Sequence, residues 1–98
     1  MKPCKRLEIV IEKPLANRLA EQLSELGAPG YTVIDHAWGQ GDRGFRRGDD
    51  LTGAATNCVF IVAVETQAEV DVLIEGIRPI ITRSGGVCLV SDALWLRH

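Results

Sequence analysis

The chain has 98 residues, of which 46% are hydrophobic and 24% are charged, and its formal net charge is -2 at pH 7. This length suits one domain with one core, and the composition is that of a globular rather than a disordered chain. The slightly acidic balance argues against a nucleic-acid-binding protein, which usually carries a basic field. No apolar run approaches the ~20 residues that span a bilayer, so we expect one cytoplasmic domain over residues 1–98.

The first third of the chain has the pattern of a strand, a helix and a second strand. Residues 7–11 form a β-branched run that predicts the first strand, and Pro14 suits the first turn of a helix. Leucines at helical spacing predict the helix itself: Leu15, Leu19, Leu23 and Leu26. Gly27 and Pro29 should end that helix, and residues 31–38 predict the second strand.

The second half repeats this pattern. Residues 58–64 predict a third strand, and Thr66 with Glu69 has the form of a capping box at a helix start. Apolar residues at helical spacing predict the second helix: Val70, Leu73, Ile74 and Ile77. Pro79 should kink or end this helix, because proline removes a backbone donor and clashes with the preceding turn.

Two adjacent glycines and a last apolar run complete the pattern. Gly85 and Gly86 predict a tight turn, and residues 87–96 predict the fourth strand. The order β-α-β, loop, β-α-β is the ferredoxin-like α+β plan, with a four-stranded antiparallel sheet and two helices on one face. Consecutive apolar residues within the strands also predict a buried second face, which only a partner subunit could cover, so we expect a homo-oligomer.

The three cysteines are Cys4, Cys58 and Cys88, and none of them forms a CxxC pair. His36 and His98 supply no spacing that would complete a zinc site. We therefore expect free thiols that act as small hydrophobes, and no metal site.

Residues 39–57 show no periodicity and contain five glycines. Loops longer than ~12–15 residues in compact domains are usually functional or disordered. The start of the segment matches GxGxxG, but no helix start follows, so a dinucleotide fold is not indicated. Successive backbone N–H groups can still form an anion-binding nest. We expect a loop that is mobile when empty and ordered by a ligand.

The same segment carries three arginines, Arg43, Arg46 and Arg47. Their guanidinium groups suit phosphate or carboxylate oxygens. The alternative is that these arginines are solvated and paired with acidic neighbours in the loop: Asp42, Asp49 and Asp50.

Two stretches carry a family resemblance: GYTVID at residues 30–35 and GQGDR at residues 39–43. With the doubled β-α-β order, they resemble the PII signal-transduction superfamily, and most of all the PII-like proteins associated with carboxysomes and bicarbonate transport (the CPII and SbtB types). The resemblance extends over nearly the whole chain. It implies a homotrimer that binds ADP or AMP between subunits together with bicarbonate, without a further cofactor, and with a flexible T-loop at about residues 39–57. A bicarbonate transporter or a carboxysome-related protein would be the downstream partner.

The resemblance also implies site residues. Thr32 would lie beside the adenine, and Val64 and Gly86 would line the neighbouring wall. The glycine-rich stretch would meet the nucleotide phosphates through Gly39, Gln40, Gly41 and Arg43. Arg83 and Arg97 would reach across the cleft. The residues implied for bicarbonate or phosphate are Gly41, Arg43, Arg46 and Arg47.

The chain departs from nitrogen-regulating PII proteins in three places. Its only tyrosine, Tyr31, lies outside the loop, which argues against uridylylation. The Gly85-Gly86 turn is shorter than the phosphate-binding loop of those proteins and lacks its lysine, which argues against a preference for ATP. Asp42 stands where a glutamine helps to hold magnesium and 2-oxoglutarate, so 2-oxoglutarate sensing is disfavoured.

Other classes of protein share the predicted fold. An amino-acid-sensing regulatory module remains an alternative, although it usually lacks a long arginine-rich loop. An acylphosphatase-like enzyme is disfavoured, because Asp35 and His36 are the only His–carboxylate neighbours and adjacent strand residues point to opposite faces. An RNA-binding module would need stacking aromatics on its central strands, where only Phe60 is present. We therefore expect no catalytic residues.

Overall fold

The computed structural model describes residues 1–41, 44–46 and 56–98. Within these ranges the chain forms six β-strands, two α-helices and one 3-10 turn. In chain order they are β1 (Lys2–Glu12), the 3-10 turn (Lys13–Leu15), α1 (Ala16–Glu25), β2 (Thr32–Ala37), β3 (Gly39–Gly41), β4 (Gly44–Arg46), β5 (Asn57–Val64), α2 (Gln67–Ser84) and β6 (Val87–Trp95).

Four of the strands form an antiparallel sheet in the order β2-β5-β1-β6. In this register Ile9 stands between Phe60 and Cys88 of the neighbouring strands, so the three side chains share one face of the sheet. Both helices pack on that face. The buried core between sheet and helices consists of Leu7, Ile9, Ile11, Leu19, Leu23, Cys58, Phe60, Val62, Val64, Val70, Leu73, Ile77 and Ile80. The predicted ferredoxin-like plan is confirmed.

Helix α1 begins and ends where the sequence predicts. Pro14 lies in the 3-10 turn before the helix, where its missing N–H leaves no bond unmade. After the helix, Gly27 adopts a positive φ of 86°, and the Ala28 N–H donates to the Leu23 carbonyl oxygen at 3.0 Å. This bond satisfies a carbonyl that the end of the helix would otherwise leave unpaired.

Helix α2 begins with the predicted capping box. The Glu69 N–H donates to Thr66 Oγ1 at 3.2 Å, and the Thr66 N–H donates to Glu69 Oε1 at 3.2 Å. Two donors of the first turn are therefore satisfied by side chains.

The prediction that Pro79 could end α2 was wrong, because the helix continues to Ser84. Pro79 is exposed, whereas Ile77 and Ile80 on the core side are only 1% and 6% exposed. A proline inside a helix costs about 3 kcal/mol, and each isoleucine buried in the core contributes about 1.5–3 kcal/mol. Burial of the apolar stripe therefore continues the helix past the proline.

The segment predicted to lack secondary structure begins with a short hairpin. Strands β3 and β4 pair with Gly39 opposite Arg46 and Gly41 opposite Gly44. Residues 42–43 and 47–55 lie outside the described residues, and the expectation of a loop ordered by a ligand falls mostly on them. Asn57, placed at the end of the loop by the sequence, is the first residue of β5.

The second face of the sheet is apolar and exposed in a single chain. We call it the open face and define it by six residues from the four strands: Val10, Ile34, Val59, Ile61, Val87 and Leu89. Ile34, Val87 and Leu89 are 50%, 49% and 56% exposed. An apolar surface of this kind marks an interaction site.

Candidate functional site

The predicted site residues fall into two groups at opposite ends of the sheet. At one end, which we call the loop end, the hairpin strand β3 contains Gly39–Gly41, and Gly86 lies in the turn between α2 and β6. At the other end are Val64, the last residue of β5, and Arg97, which follows β6. Val87 pairs with Val10 and Val64 pairs with Lys5, and these positions on β1 are ~17 Å apart at 3.4 Å per residue.

Gly86 is required by the packing of the turn. A Cβ at this position would lie 2.5 Å from the Val10 carbonyl oxygen and 3.0 Å from Ile11 Cγ2, too close for any side chain. The preceding Gly85 has a positive φ of 68°, which closes α2 in the left-handed conformation. The predicted tight turn is confirmed, and it holds the Gly86 backbone against the end of β1.

Thr32 and Val64 differ in which face of the sheet they occupy. Thr32 is exposed and pairs with Ile61, so its side chain lies on the open face. Val64 is only 1% exposed and belongs to the core on the helix face. It nevertheless borders a cavity of about 240 Å³ between the end of α1 and the start of α2. The other lining residues are Leu26, Gly27, Ala28, Ala68, Glu69, Val72 and Leu73.

The predicted arginines are only partly described. Arg43 and Arg47 lie outside the described residues, as do the aspartates proposed to pair with them, and Arg46 is placed in β4. Arg83 is exposed in the last turn of α2. The Arg97 guanidinium carbon lies 4.8 Å from the centre of the Trp95 ring, a cation–π contact that orients Arg97 at the end of the sheet.

The structure also forms a polar cluster that sequence reasoning did not identify. Asp35 Oδ2 accepts a hydrogen bond from Lys13 Nζ at 2.8 Å, and Asp35 Oδ1 accepts from the His36 N–H at 2.8 Å and from Cys58 Sγ at 3.4 Å. We call these four residues the Asp35 cluster. It joins the β1–α1 junction, the end of β2 and the start of β5. The only sequence signal for it was the position of Asp35 in the GYTVID stretch.

Hydrogen bonds in this cluster shift the ionisation of its members. The bonds from Lys13 and from the His36 N–H lower the pKa of Asp35 to about 2, since both stabilise the carboxylate. Burial and the neighbouring Asp35 raise the pKa of Cys58 to about 11. The carboxylate is therefore charged and the thiol neutral throughout the physiological pH range. His36 meets Asp35 through its backbone, which does not make a catalytic pair.

The cysteines are free thiols, as predicted. Cys4 and Cys58 are buried, and burial also raises the pKa of Cys88. A neutral buried thiol is a poor nucleophile. Among the described residues no group of three or more His, Cys, Asp or Glu side chains could hold a metal ion. No helix in the described ranges is both long and apolar enough to cross a membrane.

A model of the family described as Nitrogen regulatory protein P-II matches residues 4–98 of the chain. No curated protein sequence matches it.

Solved structures show the same fold. CPII from Thiomonas intermedia K12, a nitrogen regulatory PII-like protein with ADP, AMP and bicarbonate bound, is 29% identical with a TM-score of 0.86, over 97% of this chain and 90% of CPII. A protein from Thermus thermophilus described as PII-like in signalling is 26% identical with a TM-score of 0.76, over 98% and 92% of the two chains. GlnK of B. subtilis in complex with ATP is 15% identical with a TM-score of 0.64, over 95% and 84%, and at this identity only the fold is shared.

Proposed function

The chain belongs to the nitrogen regulatory protein P-II family, and on that premise we propose that it binds an adenine nucleotide together with bicarbonate in the clefts of a homotrimer. The family consists of signalling proteins, and the chain is a regulatory protein rather than an enzyme. CPII, with ADP, AMP and bicarbonate bound, is the relative whose ligands we carry over. We extend the proposal to ADP or AMP as the preferred nucleotide.

The open face supports the assembly. Its exposed side chains Ile34, Val87 and Leu89 would be covered by the same face of neighbouring copies. Beside them, Trp95 Nε1 is buried and has no hydrogen-bond partner in the described part of the chain. A buried indole N–H usually has an acceptor. A neighbouring subunit would supply both the apolar cover and such an acceptor.

The separation of the predicted site residues is the observation that carries the proposal. In one chain Gly86 and the β3 glycines occupy the loop end, while Val64 and Arg97 lie at the opposite end of the sheet. A neighbour that packs on the open face can bring its own opposite end beside this loop end. A cleft between subunits would then contain backbone N–H groups for phosphates on one wall and Arg97 on the other.

The regulatory output would pass through a downstream partner. We propose that the nucleotide and bicarbonate report inorganic-carbon or energy status, and that a bicarbonate transporter or a carboxysome-related protein reads this state. Such a role places the protein in the cytoplasm, at the carboxysome or at the membrane surface beside the transporter.

Titration calorimetry tests the ligands directly. We expect ADP and AMP to bind the trimer and bicarbonate to change the ADP affinity. Thermodynamic linkage then requires ADP to change the bicarbonate affinity by the same factor. Equal ADP affinity with and without bicarbonate would remove the coupling and leave nucleotide binding intact. Binding of amino acids without any nucleotide binding would support the amino-acid-sensing alternative instead.

An Arg43→Ala variant should bind ADP more weakly by about 1.5–3 kcal/mol, the contribution of one hydrogen bond to a charged group. This loss corresponds to roughly tenfold to a hundredfold in Kd. Arg18→Ala, at an exposed position on α1, is the control and should retain the affinity of the unmodified protein. A collapse of the melting temperature in Arg43→Ala would instead assign the arginine a structural role.

A further inference from the structure

Lys13 contacts both ends of the chain segment that leaves the sheet after β2 and returns to it at β5. Its Nζ bonds Asp35 near the end of β2, and its backbone N–H donates to the Thr56 carbonyl oxygen at 3.0 Å, directly before β5. Thr56 is fully buried, and a buried carbonyl without a donor is costly. One residue after β1 therefore ties the start and the end of the segment to the same point.

The same end of β1 also supports the Gly86 turn. The Val10 carbonyl oxygen and the Ile11 side chain lie directly against Gly86, and Lys13 follows two residues later. Two of the elements predicted to meet phosphates, the β3 backbone and the Gly86 turn, are therefore referred to one strand end. Their relative position depends on how firmly β2 is held there.

The conformation of His36 shows what the attachment of β2 requires. His36 has a φ of 58°, and the pairing of β2 with β5 shifts register between Ile34 and Ala37. A residue with a Cβ disfavours this left-handed conformation. The hydrogen bond from its N–H to Asp35 Oδ1 offsets that cost. The bulge redirects the chain just before β3 begins at Gly39.

We propose that Lys13 and Asp35 act as positioning residues, a clamp that holds β3 in register with the Gly86 turn so that the phosphate-binding backbone is formed before the ligand arrives. This inference rests on the proposed function. A preformed site binds more tightly because less conformational freedom is lost on binding. The clamp acts through the backbone of β3 and does not touch the ligand.

A purely structural ion pair would behave differently. The Lys13 and Asp35 side chains are 38% and 47% exposed, and ion pairs at such positions contribute little to global stability. Loss of the clamp should therefore lower ligand affinity while leaving the melting temperature of the ligand-free protein almost unchanged. A structural role predicts the reverse.

The experiment compares Lys13→Met and Asp35→Asn with matched controls in the full chain. Lys2→Met removes the lysine of another exposed ion pair, Lys2–Glu65, at the opposite end of the sheet. Glu75→Gln neutralises an exposed carboxylate on α2 that pairs with Arg78. Calorimetry with ADP, the melting temperature and hydrogen exchange of residues 36–41 are measured for each ligand-free variant.

We expect both clamp variants to raise the Kd for ADP by about tenfold, the lower range for removing an outer partner of a binding group. The controls should stay within twofold of the unmodified protein. Hydrogen exchange of residues 36–41 should rise in Lys13→Met and remain unchanged in Lys2→Met. Unchanged affinity in Lys13→Met, or equal losses in Lys13→Met and Lys2→Met, would overturn the clamp.

A second substitution examines the role of His36. Glycine adopts a φ of 58° without steric cost, so His36→Gly added to Asp35→Asn should recover part of the lost ADP affinity. Recovery supports the clamp, and a double variant as weak as Asp35→Asn counts against the His36 step. If the unmodified protein binds no ADP, the proposed function fails, and hydrogen exchange in Lys13→Met still decides whether Lys13 holds the end of β2.

Discussion

A Leu89→Lys variant should be a monomer and should lose nucleotide binding. Leu89 is 56% exposed on the open face and stands opposite Glu8 in the β1–β6 register. In a trimer that buries this face, each lysine would bring an ammonium group into an apolar interface, at a cost of several kcal/mol per subunit. In the separate chain the new lysine faces water beside Glu8, which the sheet tolerates. Sedimentation velocity and ADP calorimetry give the two readouts.

Val72→Lys is the matched control for this experiment. Val72 is 54% exposed but lies on α2, on the other side of the sheet from the open face. This variant should remain a trimer and bind ADP. A Leu89→Lys variant that stays trimeric would show that the open face is not the interface. A monomeric Leu89→Lys that still binds ADP would place the nucleotide site within one chain.

Replacing Phe60 with alanine should have the largest effect on folding. Phe60 is fully buried at the centre of the sheet, and its ring centre lies 5.5 Å from that of Tyr31. Truncation of a buried phenylalanine to alanine costs about 3–5 kcal/mol, through lost burial and the cavity that remains. Small domains are stable by about 5–15 kcal/mol in total, so this loss is a large fraction of the free energy of unfolding.

Denaturant unfolding at one fixed protein concentration measures this change, since assembly makes the midpoint depend on concentration. Phe60→Leu is the control, because it keeps most of the volume and should cost less than about 1.5 kcal/mol. Equal midpoints for Phe60→Ala and the unmodified protein would contradict the packing described for this core.

Local patterns predicted the helices well. The capping box at Thr66 and the leucine spacing of α1 involve residues three or four positions apart, and helix hydrogen bonds span the same distance. The end of α2 was mispredicted because Ile80 packs into the sheet, a contact with strands far away in the sequence. The start of β1 was placed too late for the same kind of reason, since Lys2 pairs with Trp95.

The candidate site divides in the same way. The glycine-rich stretch and the GYTVID motif identified the loop end from sequence, because glycine and motif positions are properties of short segments. The Asp35 cluster was not predicted. Its members come from positions 13, 35–36 and 58, and only the packing of β1, β2 and β5 brings them within hydrogen-bonding distance.

The sequence by itself determined the alternation of strands and helices, their apolar faces and the family resemblance, because these depend on periodicity over a few residues. Only the tertiary structure decided which strand ends meet, that Gly86 is pressed against β1, and that Lys13 joins both ends of the segment between β2 and β5. Those contacts are made between residues far apart in the chain, where no local pattern specifies the partner and the packing of the whole sheet does.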